Sequence, residues 1–196
     1  MLLVEGETDK AYFEYLREKF GTKFGLPAEV EIVPYGGKDT LKNTMLVKFM
    51  FSRFDRIFVT FDLDAADDVK RSLERLGLTE GKSFAAVGLQ KSGREAIEGL
   101  LPDRVISAVT GRETDLVMQL ASAKAQERTE AKRKLKTAFL EEFKKYEDYT
   151  GEELRHLIKI GQSVGKCFAS QPRAGDGEQP LFRRRSSCSP RLKRSV

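Results

Sequence analysis

Cysteine and histidine are scarce in this chain, and an apolar run of membrane-spanning length is missing. Two cysteines, Cys167 and Cys188, occur in 196 residues. One falls in a helical stretch and the other in a polar tail, which excludes a disulfide scaffold and suits a reducing cytoplasm. The single histidine, His156, sits between apolar neighbours on an expected helix, where a packed or surface role is the default. A zinc centre built from His and Cys is excluded by that scarcity. No 18-residue apolar stretch is present, so no membrane span is expected. No secretory signal pattern is visible at the first residues. A G-x-x-x-x-G-K-[ST] phosphate loop is also absent, since Gly36-Gly37-Lys38 lacks its spacing. ATP hydrolysis has no seat in these residues.

The body also lacks a charge excess of either sign. The net charge is +5, but Arg173, Arg183, Arg184, Arg185, Arg191, Lys193 and Arg194 face only Asp176 and Glu178 after Ser170, so the tail carries the whole excess. Basicity is therefore a property of residues 170–196, and the rest is judged by local pattern. The lysine-rich stretch from Lys124 to Lys145 is offset by Glu127, Glu130, Glu141 and Glu142 and reads as a solvated helix face. The tail holds three of the six prolines, clustered Ser and Arg, and few apolar residues, a composition that predicts disorder.

Strand and helix signals alternate along the first part of the chain, as in an α/β domain with a mostly parallel sheet flanked by helices. Strands are expected at 2–4, 29–33, 56–61 and 84–87, with a further short strand at 105–109. A helix capped by Thr8 places Ala11, Phe13, Leu16 and Phe20 at helical spacing and ends at Gly21. A second runs from about Asp39 to Phe51 with Leu41, Met45 and Phe49 inward, a third covers 65–76, and a short one spans 93–100 before Pro102. From Glu113 the pattern becomes helical: one helix over 114–146, with Leu135, Phe139 and Phe143 four apart, and another from Gly151. The expected organisation is a domain at 1–112, a helical C-terminal extension at 113–169 and a basic tail at 170–196.

Two acidic clusters follow strand signals. Leu2-Leu3-Val4 leads into Glu5, Gly6, Glu7, Thr8 and Asp9, and Ile57 to Phe61 leads into Asp62, Leu63 and Asp64. Apolar runs of this kind read as buried parallel strands whose C-terminal tips face a ligand crevice. Carboxylates gathered there repel one another unless a divalent cation sits among them, and hard cations select oxygen ligands. Glu5 and Asp9 stand four apart across a strand-to-helix junction. Asp62 and Asp64, at alternate positions, would point to one side of an extended segment. Each cluster alone is explained as well by helix capping and solvated acids. A haloacid-dehalogenase phosphatase also begins with such a D-x-D pair, but it wants Thr or Val where this chain has Ala66.

Together the clusters are more specific. An apolar strand followed by Glu-Gly, then a later strand ending in Asp-x-Asp, resembles the TOPRIM domain of topoisomerases, bacterial primases, recombination mediators and OLD (overcoming lysogenization defect) nucleases. The likeness to OLD is carried by Val4-Glu5-Gly6-Glu7-Thr8-Asp9, by Tyr35-Gly36-Gly37-Lys38, and by Gly93-Arg94-Glu95-Ala96-Ile97-Glu98. It covers about residues 2–110, and more loosely the helices to about 169. A topoisomerase would need a catalytic tyrosine on another domain.

That resemblance implies a metal-dependent DNA endonuclease. Glu5, Asp9, Asp62, Asp64 and Glu98 would ligate Mg²⁺ or Mn²⁺, with two ions about 3.5–4 Å apart, and Glu95 is the competitor for the place of Glu98. Catalysis would rest on Glu5, Asp62, Asp64 and a lysine from the C-terminal helices, Lys166 or in its place Lys159. Ser92 is a weaker candidate for orienting substrate. The resemblance implies DNA as partner, an ABC-type ATPase domain or subunit supplied separately, no membrane, and a cytoplasmic location; a homodimer stays open. Without that ATPase, the chain is expected to be a stand-alone nuclease domain or a piece of a longer gene product. The alternative is a non-catalytic metal- or DNA-binding module of the same fold.

Overall fold

The computed structural model describes residues 1–169, and the expectations for the tail and for Cys188 lie outside them. Four strands, β1 (Leu2–Val4), β2 (Ile32–Pro34), β3 (Phe58–Asp62) and β4 (Phe84–Val87), form one sheet in the order β2-β1-β3-β4. Every pairing is parallel. The chain leaves β1 toward β2 on one side and returns toward β3 and β4 on the other. The reversal of strand order falls between β1 and β3, and open α/β sheets place ligands beyond the strand C-termini at that point.

Side-chain alternation sorts the strands onto two cores. Leu2, Val4 and Phe58 face helix α1 (Glu7–Phe24), while Leu3, Val59 and Phe61 face α2 (Lys38–Lys42), α3 (Thr44–Arg53) and α4 (Ala66–Arg75). The first core also takes in α5 (Asp103–Arg112), α7 (Ala125–Lys145) and α8 (Arg155–Ala169), with the short α6 (Thr114–Gln119) leading into α7. Leu140, Phe143, Leu154, Leu157 and Val164 are buried in the same cluster as Val4, Tyr12 and Phe13. The helical extension and the sheet thus share one apolar interior.

Several elements differ from expectation for local reasons. Residues 105–109 are helical: Pro102 fixes φ at −54° just before α5, and Val105 and Val109, four apart, make its buried face. The helix expected over 39–51 breaks at Asn43, whose side chain accepts the Leu46 N–H and starts α3 afresh. That restart turns Val47 inward, leaving Met45 75% and Phe49 57% exposed. The helix expected over 114–146 divides between α6 and α7. Helix α1 begins at Glu7, one residue before Thr8, and continues to Phe24 across a break at Gly21. Residues 93–96 form no regular helix, and only Ile97–Leu100 make a 3₁₀ turn.

Candidate functional site

Four carboxylates from separate segments meet beyond the C-terminal ends of β1 and β3. Glu5 follows β1 directly. Its carbonyl accepts the N–H groups of Gly36 and Gly37 at 3.1 and 3.0 Å, and its Oε2 accepts the Asp62 N–H at 3.3 Å. Asp9 lies in the first turn of α1, where Oδ2 accepts the Gly6 N–H at 2.9 Å. The capping role weighed from the sequence is real for Asp9, and it occupies one oxygen, leaving Oδ1 to face the cluster. Asp62 ends β3 on the face that carries Phe58 and Thr60, so strand alternation turns it toward α1 and Asp9.

Glu98 arrives from the 3₁₀ turn, all four residues of which are buried. The loop before it is drawn tight against β3: Leu63 N–H donates to the Glu95 carbonyl at 2.7 Å and Leu89 N–H to that of Arg94 at 2.7 Å. Two glycines allow this approach. A Cβ at Gly99 would lie 2.3 Å from the Arg94 carbonyl oxygen, and one at Gly88, where φ is +131°, would lie 2.4 Å from that of Glu95.

The fifth participant is Lys136 of α7. Its Nζ lies 3.5 Å from Glu98 Oε1, 3.8 Å from Asp62 Oδ2 and 3.9 Å from Asp9 Oδ1, and its side chain is 18% exposed. Helix α7 is held in place by apolar packing and by buried Glu142, which accepts from Arg112 of α5 at 2.6 Å and from Lys145 at 2.8 Å. The sequence reading missed Lys136 by treating its stretch as a solvated face. The signal was present: Lys136, Leu140 and Phe143 recur at i, i+4 and i+7 on the buried stripe of α7.

Burial changes the protonation of Asp62 and Glu98. Desolvation pushes Asp62 up to about 8, with Asp9, Glu5 and Glu98 adding to the rise against the opposing pull of Lys136. Glu98 is raised for the same leading reason. Desolvation also disfavours the Lys136 ammonium, but Glu98, Asp9, Asp62 and Glu5 outweigh it and hold the ammonium more strongly protonated than a free lysine. At the cluster, Tyr12 Oη and Glu98 Oε1 are buried without a hydrogen bond, the latter having the ion-pair contact with Lys136. Burial first, then Glu98 and Asp9, push the Tyr12 hydroxyl upward. Among Glu5, Asp9, Thr60, Asp62, Phe13, Phe61, Val87 and Ile97 remains a void of about 10 Å³, close to the room one water needs.

Other expected site residues lie elsewhere. Asp64 is not in the cluster. The strand stops at Asp62 and a 3₁₀ turn takes Leu63–Ala65, so the alternation expected to align the two aspartates ends between them. Asp64 is exposed in an open recess of about 610 Å³ shared with Asp67, Asp68, Arg71, Ser92 and Glu95. That placement separates Glu95 from Glu98, the one in the recess and the other in the cluster. Lys166 is exposed near the C-terminal end of α8, whose Phe168 carbonyl accepts from Arg56 beside the start of β3. Lys166 thus lies toward the N-terminal end of β3, whereas the carboxylates sit beyond the C-terminal ends of β1 and β3. Lys159 is likewise exposed on α8, and His156 accepts from Arg155 there at 3.1 Å, away from the cluster.

Among the described residues no three His, Cys, Asp or Glu side chains converge on a ready-made ion position. The space between Asp9, Asp62 and Glu98 is taken by the Lys136 ammonium. The donor set itself is entirely oxygen, as Mg²⁺ and Mn²⁺ require, and the unsatisfied Glu98 Oε1 is a buried acceptor with capacity for a cation. Chemically, the residues fit such an ion. Among the described residues no helix is long and apolar enough to cross a membrane. No protein-family model, curated protein or solved structure matches the chain.

Proposed function

We propose that this chain is a divalent-metal-dependent DNA endonuclease of TOPRIM type, nearest in pattern to the OLD nucleases, which holds Mg²⁺ or Mn²⁺ among Glu5, Asp9, Asp62 and Glu98. The observation that carries this reading is the convergence of those four acids at the switch point between β1 and β3. Nothing in helix capping asks for Asp62 and Glu98 to be buried side by side, and buried like charges are costly unless a cation offsets them. When bound, the ion supplies a positive centre for activating water and for offsetting charge at a phosphodiester under attack.

The protein's own groups have separable tasks. Glu5 and Asp9 are oriented by backbone N–H groups, so they present fixed oxygens. Asp62, with its pKa pushed up to about 8 in the metal-free protein, would release its proton to ligate an ion. Lys136 takes the role first expected of Lys166, since it is the lysine beside the acids and can face a phosphate. Asp64 and Glu95 line the open recess together with Asp67 and Asp68 and offer oxygen donors for a second ion. DNA as partner, a separately supplied ABC-type ATPase and a cytoplasmic setting belong to the same proposal.

The test is nicking of supercoiled plasmid by the purified full chain with Mg²⁺ or Mn²⁺, alongside Asp62→Asn. Metal-dependent nicking by the wild type and its loss in the variant is the expected result. A folded protein inert with either metal would sink the catalytic claim. A second reading, a non-catalytic metal- or DNA-binding module, is favoured by one observation: Lys136 already offsets part of the cluster's charge without an ion. Binding of Mn²⁺ and DNA without cleavage would select it.

A further inference from the structure

Building on the metal reading above, we propose that Lys136 is the resident counter-cation of the cluster: its ammonium holds the ion's place in the metal-free protein and must swing out before a divalent ion can enter. Three carboxylates contribute oxygens between 3.5 and 3.9 Å from its Nζ. Charge-assisted N–H···O bonds are shorter, about 2.7–2.9 Å. The ammonium therefore sits among the acids without closing on any one of them, and Glu98 Oε1 stays without a hydrogen bond. The void bordered by Glu5, Asp9 and Asp62, about 10 Å³, has room for one water-sized occupant and not for an ion with its own hydration. An ion and the ammonium would also repel at this separation. Entry of one is exit of the other.

The lysine is built to leave. Its flexible four-carbon stem emerges from a helix surface, and 18% of the side chain is already open to solvent. Because α7 packs on α5 and the 3₁₀ turn that carries Glu98, the helical extension sets how readily the site accepts metal. Metal affinity would then be a property of the whole chain and not of the sheet domain alone.

The first experiment uses the wild-type chain. Lysines are acetylated briefly with and without Mg²⁺ and quantified by mass spectrometry, with exposed Lys132 of the same helix as internal control. Lys136 should react roughly fivefold faster or more with Mg²⁺, as an ion-paired amine released to solvent, while Lys132 holds steady. Mn²⁺ binding measured directly at about pH 8.5 should be about tenfold tighter or more in Lys136→Met, and near wild type in Lys136→Arg, because only the neutral side chain removes the repulsion. Mn²⁺ binding by the wild type with unaltered Lys136 reactivity would overturn the proposal and leave the metal reading standing. A folded Lys136→Met that binds no more tightly would do the same. If neither protein binds Mn²⁺, the metal reading falls and this proposal with it. Should Lys136→Met not fold, the acetylation result decides.

Discussion

Replacing Asp62 by Asn should make the metal-free protein less sensitive to alkali and more stable above neutral pH. The Asp62 carboxyl rises from 3.8 to about 8 on folding, chiefly by desolvation. Between those values the folded state holds a proton that the unfolded chain has released, so stability falls as pH rises through the window. Each unit corresponds to about 1.4 kcal/mol, which sets a ceiling of roughly 6 kcal/mol. Glu98 competes for the same proton, and the titration belongs to the cluster. About 2–4 kcal/mol is therefore the expected loss between about pH 5 and pH 9. Urea unfolding in EDTA across that range measures it. The wild type should lose stability with rising pH, Asp62→Asn should lose clearly less, and saturating Mg²⁺ should flatten the wild-type curve by binding only the folded state. Parallel pH profiles for wild type and variant would refute the idea that Asp62 is buried against its own charge.

Glu98→Gln keeps the volume but replaces a charged oxygen with a neutral amide; it should cut turnover strongly and be partly rescued by raised Mn²⁺, which plasmid nicking across a Mn²⁺ series would show. Gly99→Ala drives a methyl into the Arg94 backbone at 2.3 Å and should destabilise the fold by about 1–3 kcal/mol or more, as read by denaturant midpoint; a midpoint equal to wild type would mean the loop is looser than described. Lys166→Ala should leave metal-dependent nicking within about twofold of wild type, since exposed substitutions remote from a site are mild, and a large loss would return the catalytic role to α8. Met45→Ser with Phe49→Ser removes two exposed apolar side chains and should shift stability by no more than about 0.5 kcal/mol per site.

The parts of the fold readable from sequence were those whose pattern is short-range and two-sided. Leu2-Leu3-Val4 is apolar at every position, and Phe58 to Phe61 at all but Thr60, because both faces of a parallel sheet are covered. Gly36-Gly37 marks the turn after β2. The failures came where a local cap or proline outweighed periodicity. Val105 and Val109 look like strand residues by type, yet their spacing of four serves a helix launched at Pro102 equally well. At Asn43 a single side-chain hydrogen bond restarts the helix and rotates its inner face by a residue or two, a change that hydrophobic spacing across 39–51 has no way to register.

The site divides along the same line. Glu5, Asp9 and Asp62 were legible because each is tied to the end of a strand or the first turn of a helix, and strand alternation alone directs Asp62 toward α1. Asp64 was not legible because strand alternation would align it with Asp62 only over two more residues of extended chain, and the backbone coils after Asp62 instead. The lysine shows the deeper limit. Lys136 and Lys166 are both helical and both C-terminal to the sheet, so motif spacing does not separate them. What separates them is neighbourhood along the helix: Lys136 shares a stripe with Leu140 and Phe143, whereas Lys166 follows Gly165, the residue that presses α8 onto Gly25 and leaves the next position facing out. A charged side chain on an apolar stripe costs stability unless it reaches a partner. Lys136, drawn inward on that stripe, implies buried acids opposite it, and the unexplained acids of the chain were Asp9, Asp62 and Glu98.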